Sequence, residues 1–296
     1  MRIVSLVPAA TEMLFALDLG DEVVGVTHEC DFPPPVRELV KVTRTTLPAD
    51  LSAAEIDAAV KERALSGGTL YELDVQALHE LAPDLIVTQA LCEVCAVSQD
   101  EVREIAKGIE TQPMVVALDP HTVGEVLGDA RTLAQATDRE AEAVDLIREA
   151  SARIDRIRVA TRDVARPRVI ALEWLDPPYV AGHWTPQLIE FAGGEDVAGF
   201  AGEHSEQQSW EMLAALCADI VIAMPCGYNA EIAYREAEMH RDQLVAVGAG
   251  RVIAVDAAAY FSRPGPRIVE GLETLAHIIH PELFSSSPTP VLAIEL

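Results

Sequence analysis

The strongest constraint on the fold is a pattern that occurs twice. Asp74-Val75-Gln76-Ala77-Leu78 leads into Ala82-Pro83-Asp84-Leu85-Ile86-Val87, and Ser209-Trp210-Glu211-Met212-Leu213 leads into Cys217-Ala218-Asp219-Ile220-Val221-Ile222. Each copy reads as a short helix, a tight turn and a buried strand. Met114-Val115-Val116-Ala117-Leu118-Asp119 and Val252-Ile253-Ala254-Val255-Asp256 match in the same way, each followed by a loop and another helix. A recurrence of this kind implies a duplicated structural unit.

Around these copies, β-branched runs at 2–6, 22–26, 84–89, 113–118, 168–172, 219–223 and 251–255 alternate with helical patterns. Such alternation predicts an α/β fold with parallel sheets. Residues 137–164 contain no Pro or Gly, and Ala143, Leu146, Ile147, Ala150, Ile154 and Ile157 follow a 3.6-residue period, so one long helix is expected there. The expected organisation is an α/β lobe over 1–136, a connecting helix over 137–165, a second α/β lobe over 166–284 and a tail over 285–296. The Ser- and Pro-punctuated tail is expected to be disordered or packed on a neighbour. Five cysteines is an odd count, so one thiol at least stays outside any intramolecular disulfide.

Composition excludes several classes of function. With 22 Lys plus Arg against 48 Asp plus Glu, the chain lacks the positive charge that nucleic acid or an anionic membrane surface requires. No uncharged apolar run of about 18 residues appears, so membrane insertion is not expected. Its lysines are confined to Lys41, Lys61 and Lys107, and such an acidic, lysine-poor surface suits the salty cytoplasm of a halophile. The N-terminus runs into an apolar strand without a leader-like segment, which points to the cytoplasm; an exported chain whose leader had been removed would read the same way. Ser66-Gly67-Gly68 and Gly193-Gly194 do not make a phosphate loop, and no G-x-S-x-G or H-E-x-x-H occurs, so a binding role is preferred over catalysis.

Ligands of open parallel sheets sit beyond the carboxyl ends of the strands. The segments expected there are 8–11, 27–32, 89–98, 174–184, 225–229 and 260–266. They bring candidate ligand-binding residues Pro8, Ala9, His28, Gln89, Ala90, Leu91, Trp174, Tyr179, His183, Trp184, Tyr228, Phe261 and Arg263. The aromatics offer flat apolar surface to a large planar ligand, although Trp174 and Trp184 fit the core of the second lobe equally well. His121 and His204 carry no distinctive spacing and are assigned a solvated role. Cys30, Cys92, Cys95 and Cys226 fall in the same loops and are candidate ligands for zinc or an iron-sulfur cluster, with small buried residues or a redox pair as the alternatives. Cys217 lies in a helix-to-strand turn and is expected in the core.

Taken in order, Ile3 to Glu12, Val24-Gly25-Val26-Thr27, Ala82 to Val87, Pro177-Pro178-Tyr179-Val180-Ala181-Gly182, Glu190-Phe191-Ala192-Gly193-Gly194-Glu195 and Phe261 to Arg267 resemble the substrate-binding proteins of vitamin B12, haem and iron-siderophore ABC importers, most closely the cobalamin-binding members. The resemblance spans nearly the whole chain. It implies two Rossmann-like lobes bridged by a rigid helix, with a corrinoid such as cobalamin held between them. His28 or His183 is then placed to approach the cobalt. The family docks on an ABC permease through one acidic residue per lobe; the second-lobe position is matched by Glu211, whereas the first-lobe position is Gln76. The loop Gln89-Ala90-Leu91-Cys92 departs from the family by carrying a thiol where an aromatic is common. The expected function is cobalamin or corrinoid binding for storage, handling or delivery. A thiol-ligated metal protein, a thiol-dependent corrinoid-processing enzyme and an importer subunit are the alternatives.

Overall fold

The computed structural model describes every residue except 49–50, 67–69 and 91–98. Its contacts divide the chain into two compact units: Met1–Pro120 with Glu125–Ile147, and His121–Gly124 with Arg148–Leu296.

The first unit is built on a parallel five-stranded sheet in the order Val40–Lys41, Val23–Val26, Ile3–Ser5, Leu85–Gln89, Met114–Leu118. Ile3, Val4 and Ser5 pair in register with Leu85, Ile86 and Val87. Because successive side chains point to opposite faces, Ile3, Leu85 and Val87 enter a core with Leu14 and Leu133, while Val4 and Ile86 enter another with Leu78 and Val102. A sheet buried on both faces explains why these strands read as continuous apolar runs.

The second unit keeps a parallel centre, Arg168–Leu175, Ile220–Ala223 and Arg251–Val255, which Glu195–Asp196 joins in parallel beside Arg168–Val169, and it adds antiparallel strands at both edges. Pro178–Val180 folds back on Arg168–Leu175 and pairs in turn with Glu206–Gln207. At the other edge Val291–Ile294 pairs antiparallel with Arg251–Val255. The end of the chain is therefore a strand of the sheet, not a disordered or neighbour-packed tail. Ile294 is 4% exposed, and burying it offsets the entropy of ordering the segment.

The duplication is visible atom by atom. Asp74 caps the helix Val75–Leu81 by accepting from the Ala77 N–H, and Ser209 caps Trp210–Ala215 by accepting from the Met212 N–H. Beyond these helices Ala82 (φ 41°) and Cys217 (φ 50°) both adopt the left-handed conformation that turns the chain into the next strand. The Arg2 backbone N–H then donates to Asp84 Oδ2 and its guanidinium to the Leu81 carbonyl; Arg168 repeats both contacts with Asp219 Oδ2 and the carbonyls of Leu216 and Cys217. These contacts occupy residues 2, 84 and 219 ahead of the ladder, so the strands at Ile3, Leu85 and Ile220 begin one residue later than the apolar pattern suggests. Cys217 is exposed rather than in the core, because it occupies the turn that ends the helix.

The long helix runs over Glu140–Ala160, shorter than the expected 137–164. Thr137 ends the preceding helix Val123–Thr137, and Asp138 at φ 54° breaks the chain between the two. Within the second unit, Arg153 on this helix reaches Glu273 at 2.9 and 2.7 Å and Glu270 at 3.1 Å on the buried helix Ile268–Ile279. No helix among the described residues is long and apolar enough to cross a membrane.

Candidate functional site at the strand ends

In the first unit the strand Ile3–Ser5 runs into a helix that begins at Pro8, so Pro8 and Ala9 lie at the carboxyl edge of the sheet. A compact polar group forms beside them. Thr11 donates to Ser5 Oγ at 2.8 Å, and the Cys30 thiol lies 3.1 Å from the hydroxyls of both Thr11 and Thr27. Cys30 is only 3% exposed, placed as a hydrogen-bonded thiol inside the unit. His28 Nδ1 is 2.8 Å from Thr43 Oγ1 and its ring packs 5.3 Å from Tyr71. Burial holds its pKa below the usual imidazole value, a shift opposed by Glu29. Gln89 is half-buried at the end of its strand, and Ala90 donates to the Leu118 carbonyl. Leu91, Cys92 and Cys95 lie outside the described residues.

In the second unit the strand ends present a different surface. Trp174 and Tyr228 are half-buried with ring centroids 5.4 Å apart, and the Trp174 indole N–H donates to the Asp176 carbonyl. Tyr179, also half-buried, faces Gln207 across paired strands. Burial pushes the Tyr228 hydroxyl above its ordinary value. Trp184 is 4% and Phe261 3% exposed; the indole N–H of the first donates to the carbonyl of the second at 2.8 Å. That places both in the packing of the unit. Cys226 is exposed, with its N–H on the Glu173 carbonyl, and Arg263 is half-buried nearby in sequence to Phe261.

Three features at this edge had no signal in the sequence. Glu173 is half-buried, and desolvation of its carboxyl pushes the pKa up to about 7, against the lowering influence of Ser205 and the Gly182 backbone. Two loops press together beside it: a Cβ on Gly182 would lie 2.5 Å from the Glu203 carbonyl oxygen and 2.6 Å from Ser205 N, so only glycine fits. Lastly, His121 and His204, expected to be solvated singly, gather with His183. Their ring centroids are 5.1 to 5.7 Å apart. Residues 121, 183 and 204 are too far apart in sequence for any spacing rule to link them. Among the described residues, no three His, Cys, Asp or Glu side chains are already arranged to hold a metal ion.

The chain has counterparts among known proteins. Residues 3–259 match the family described as periplasmic binding protein. The chain belongs to the periplasmic binding protein family. It is 24% identical over 294 residues to YvrC of Bacillus subtilis, an uncharacterized ABC transporter substrate-binding lipoprotein, covering 96% of this chain and 81% of that one. A vitamin B12-binding protein of Vibrio cholerae is 35% identical over 98 residues, 28% of this chain and 35% of that protein. Among solved structures, the periplasmic vitamin B12 binding protein BtuF of V. cholerae superposes with a TM-score of 0.66 at 20% identity, covering 94% and 96% of the two chains. The periplasmic heme-binding protein RhuT of Roseiflexus gives 0.66 at 22% identity, covering 95% and 98%. IsdE of S. aureus complexed with heme gives 0.68 at 16%, covering 96% and 99%. At these identities the structures share the fold: two Rossmann-like lobes of the helical-backbone type.

Proposed function

We propose that this member of the family binds cobalamin or a related corrinoid, with Trp174, Tyr179 and Tyr228 supplying apolar surface to the ligand. The observation that carries the reading is the half-buried Trp174–Tyr228 pair at the carboxyl edge of a parallel sheet. Flat aromatic surface with few polar groups suits a large planar ligand. The partial identity to a vitamin B12-binding protein supports cobalamin over other tetrapyrroles. His28 or His183 is the imidazole proposed to approach the metal centre, and the proposal includes a cytoplasmic protein serving storage or delivery. The test is equilibrium titration with cobalamin followed by its visible spectrum, with haemin in parallel. Saturable cobalamin binding weakened by Trp174→Ala supports the reading, and no cobalamin binding up to millimolar ligand sinks it.

A second reading, a subunit delivering ligand to an ABC permease, is favoured by the likeness to YvrC along nearly the whole chain. Glu211 stands exposed in the first turn of the helix Trp210–Ala215. In the repeated helix its counterpart is Gln76, hydrogen-bonded to Glu80. A single docking charge predicts that Glu211→Ala abolishes ligand-dependent stimulation of the permease ATPase and that Gln76→Glu strengthens it. Fractionation of cells decides between the cytoplasm and the outer face of the membrane.

A further inference from the structure

We propose that His183, His204 and His121 form a binding site for a divalent transition-metal ion of the zinc, nickel or cobalt type, which assigns His183 to this ion and leaves His28 as the imidazole of the corrinoid reading. His183 Nε2 and His204 Nδ1 are 3.2 Å apart. Two imidazole nitrogens at about 2.1 Å from one tetrahedral ion stand about 3.4 Å apart, so the pair is already close to chelating distance. Without metal, the same distance is a hydrogen bond between a ring N–H and a ring lone pair. On metal binding the donating ring carries its proton on its other nitrogen, so that both facing nitrogens present lone pairs to the ion.

The backbone holds this pair in place. His183 sits at φ 52°, a left-handed conformation that histidine adopts more readily than most side chains. Its N–H donates to the Glu203 carbonyl at 2.6 Å, and its carbonyl accepts from Gly202 at 2.9 Å. The loop bearing His183 is thus tied on both sides to the loop bearing His204, and the close approach at Gly182 locks the two together. Backbone strain retained in this way is a mark of a positioned side chain. The third ring comes from the 121–124 segment, which is fixed to the same unit by the Val123 N–H on Gln187 Oε1 at 2.9 Å. His121 lies 5.6 Å from the His183 ring and 5.7 Å from the His204 ring. The resting arrangement is therefore a hydrogen-bonded imidazole pair close to chelating distance with a third imidazole beside it, and a bound ion would complete its coordination with water.

The pair also defines what it does not take. The metal of a haem or corrinoid offers one open position on each face, whereas nitrogens 3.2 Å apart need two adjacent positions on the same ion. A hydrated ion or an open chelate has them. The net charge of −26 raises the local concentration of such cations.

The experiment is titration of chelator-treated, reduced protein with Zn2+ by calorimetry and with Co2+ by visible absorption. One saturable site is expected, with a cobalt spectrum free of thiolate charge-transfer bands. His204→Ala changes an exposed residue, and His183→Asn keeps a side chain tolerant of positive φ. Each is expected to weaken Zn2+ binding by about tenfold or more, His121→Ala by less. Absence of saturable binding, or unchanged affinity in the doubly substituted His183→Asn/His204→Ala protein, overturns the proposal. Cobalamin titration of the same samples reports on the corrinoid reading independently.

Discussion

The backbone N–H of Arg168 donates to the Asp219 carboxylate at 2.7 Å, closing the turn between the helix Trp210–Ala215 and the strand that follows it. Asp84 accepts from Arg2 at the same distance in the first unit. A charged acceptor on a backbone donor is worth about 1.5–3 kcal/mol, and partial exposure puts these pairs at the lower end. Asp219→Ala is expected to lower the urea midpoint by an amount corresponding to about 1–2 kcal/mol, and Asp84→Ala to do the same.

Arg153 bridges Glu270 and Glu273. Arg153→Met keeps the aliphatic stem but leaves two half-buried carboxylates facing each other without a cation. The expected loss is about 1–3 kcal/mol, and Glu273→Gln on the Met background should recover part of it. A double-mutant cycle in urea unfolding measures both.

Glu173 makes the pH dependence of stability testable. Its folded pKa is raised from 4.5 to about 7 by burial. The unfolded chain ionises near the ordinary value, so as pH rises from about 4.5 to 7 it releases a proton that the folded chain retains, and stability falls over that window. Asp129, pushed up to about 7 by burial and by Asp119 and Glu125, acts with the same sign. Glu173→Gln removes the first contribution: no difference from wild type is expected near pH 4, and at pH 8 the variant should be more stable by about 2–3 kcal/mol. A variant less stable than wild type at pH 8 contradicts the assignment.

The cysteines are expected to differ sharply in reactivity. Cys217 and Cys226 are exposed, while Cys30 is buried against two threonine hydroxyls. Timed iodoacetamide labelling followed by peptide mass spectrometry should show the first two modified in the native protein, and Cys30 only after denaturant is added.

The excess of 48 acidic over 22 basic residues predicts self-repulsion that salt relieves. The thermal midpoint is expected to rise between dilute buffer and molar KCl, as differential scanning calorimetry can record. A flat or falling midpoint removes the halophile reading.

The sequence by itself determined the repeated helix–turn–strand unit, because its signals are local: the capping residues Asp74 and Ser209, apolar strand runs and the period of the long helix all act within a few residues. It also placed Trp174, Tyr179, Tyr228 and His183 at the strand ends, since strand order in the chain dictates which loops gather there. The tertiary structure decided what those loops do to one another. Trp184 became a core residue bound to the Phe261 carbonyl, Cys217 turned outward in a left-handed turn, and the last strand at Val291–Ile294 found an edge to pair with. The burial that raises Glu173 and the meeting of His121, His183 and His204 depend on segments distant in sequence, held by backbone contacts such as His183 to Glu203. Periodicity and capping describe a chain's neighbours along its length; pKa shifts and ring clusters depend on neighbours through space, and only the packed fold supplies those.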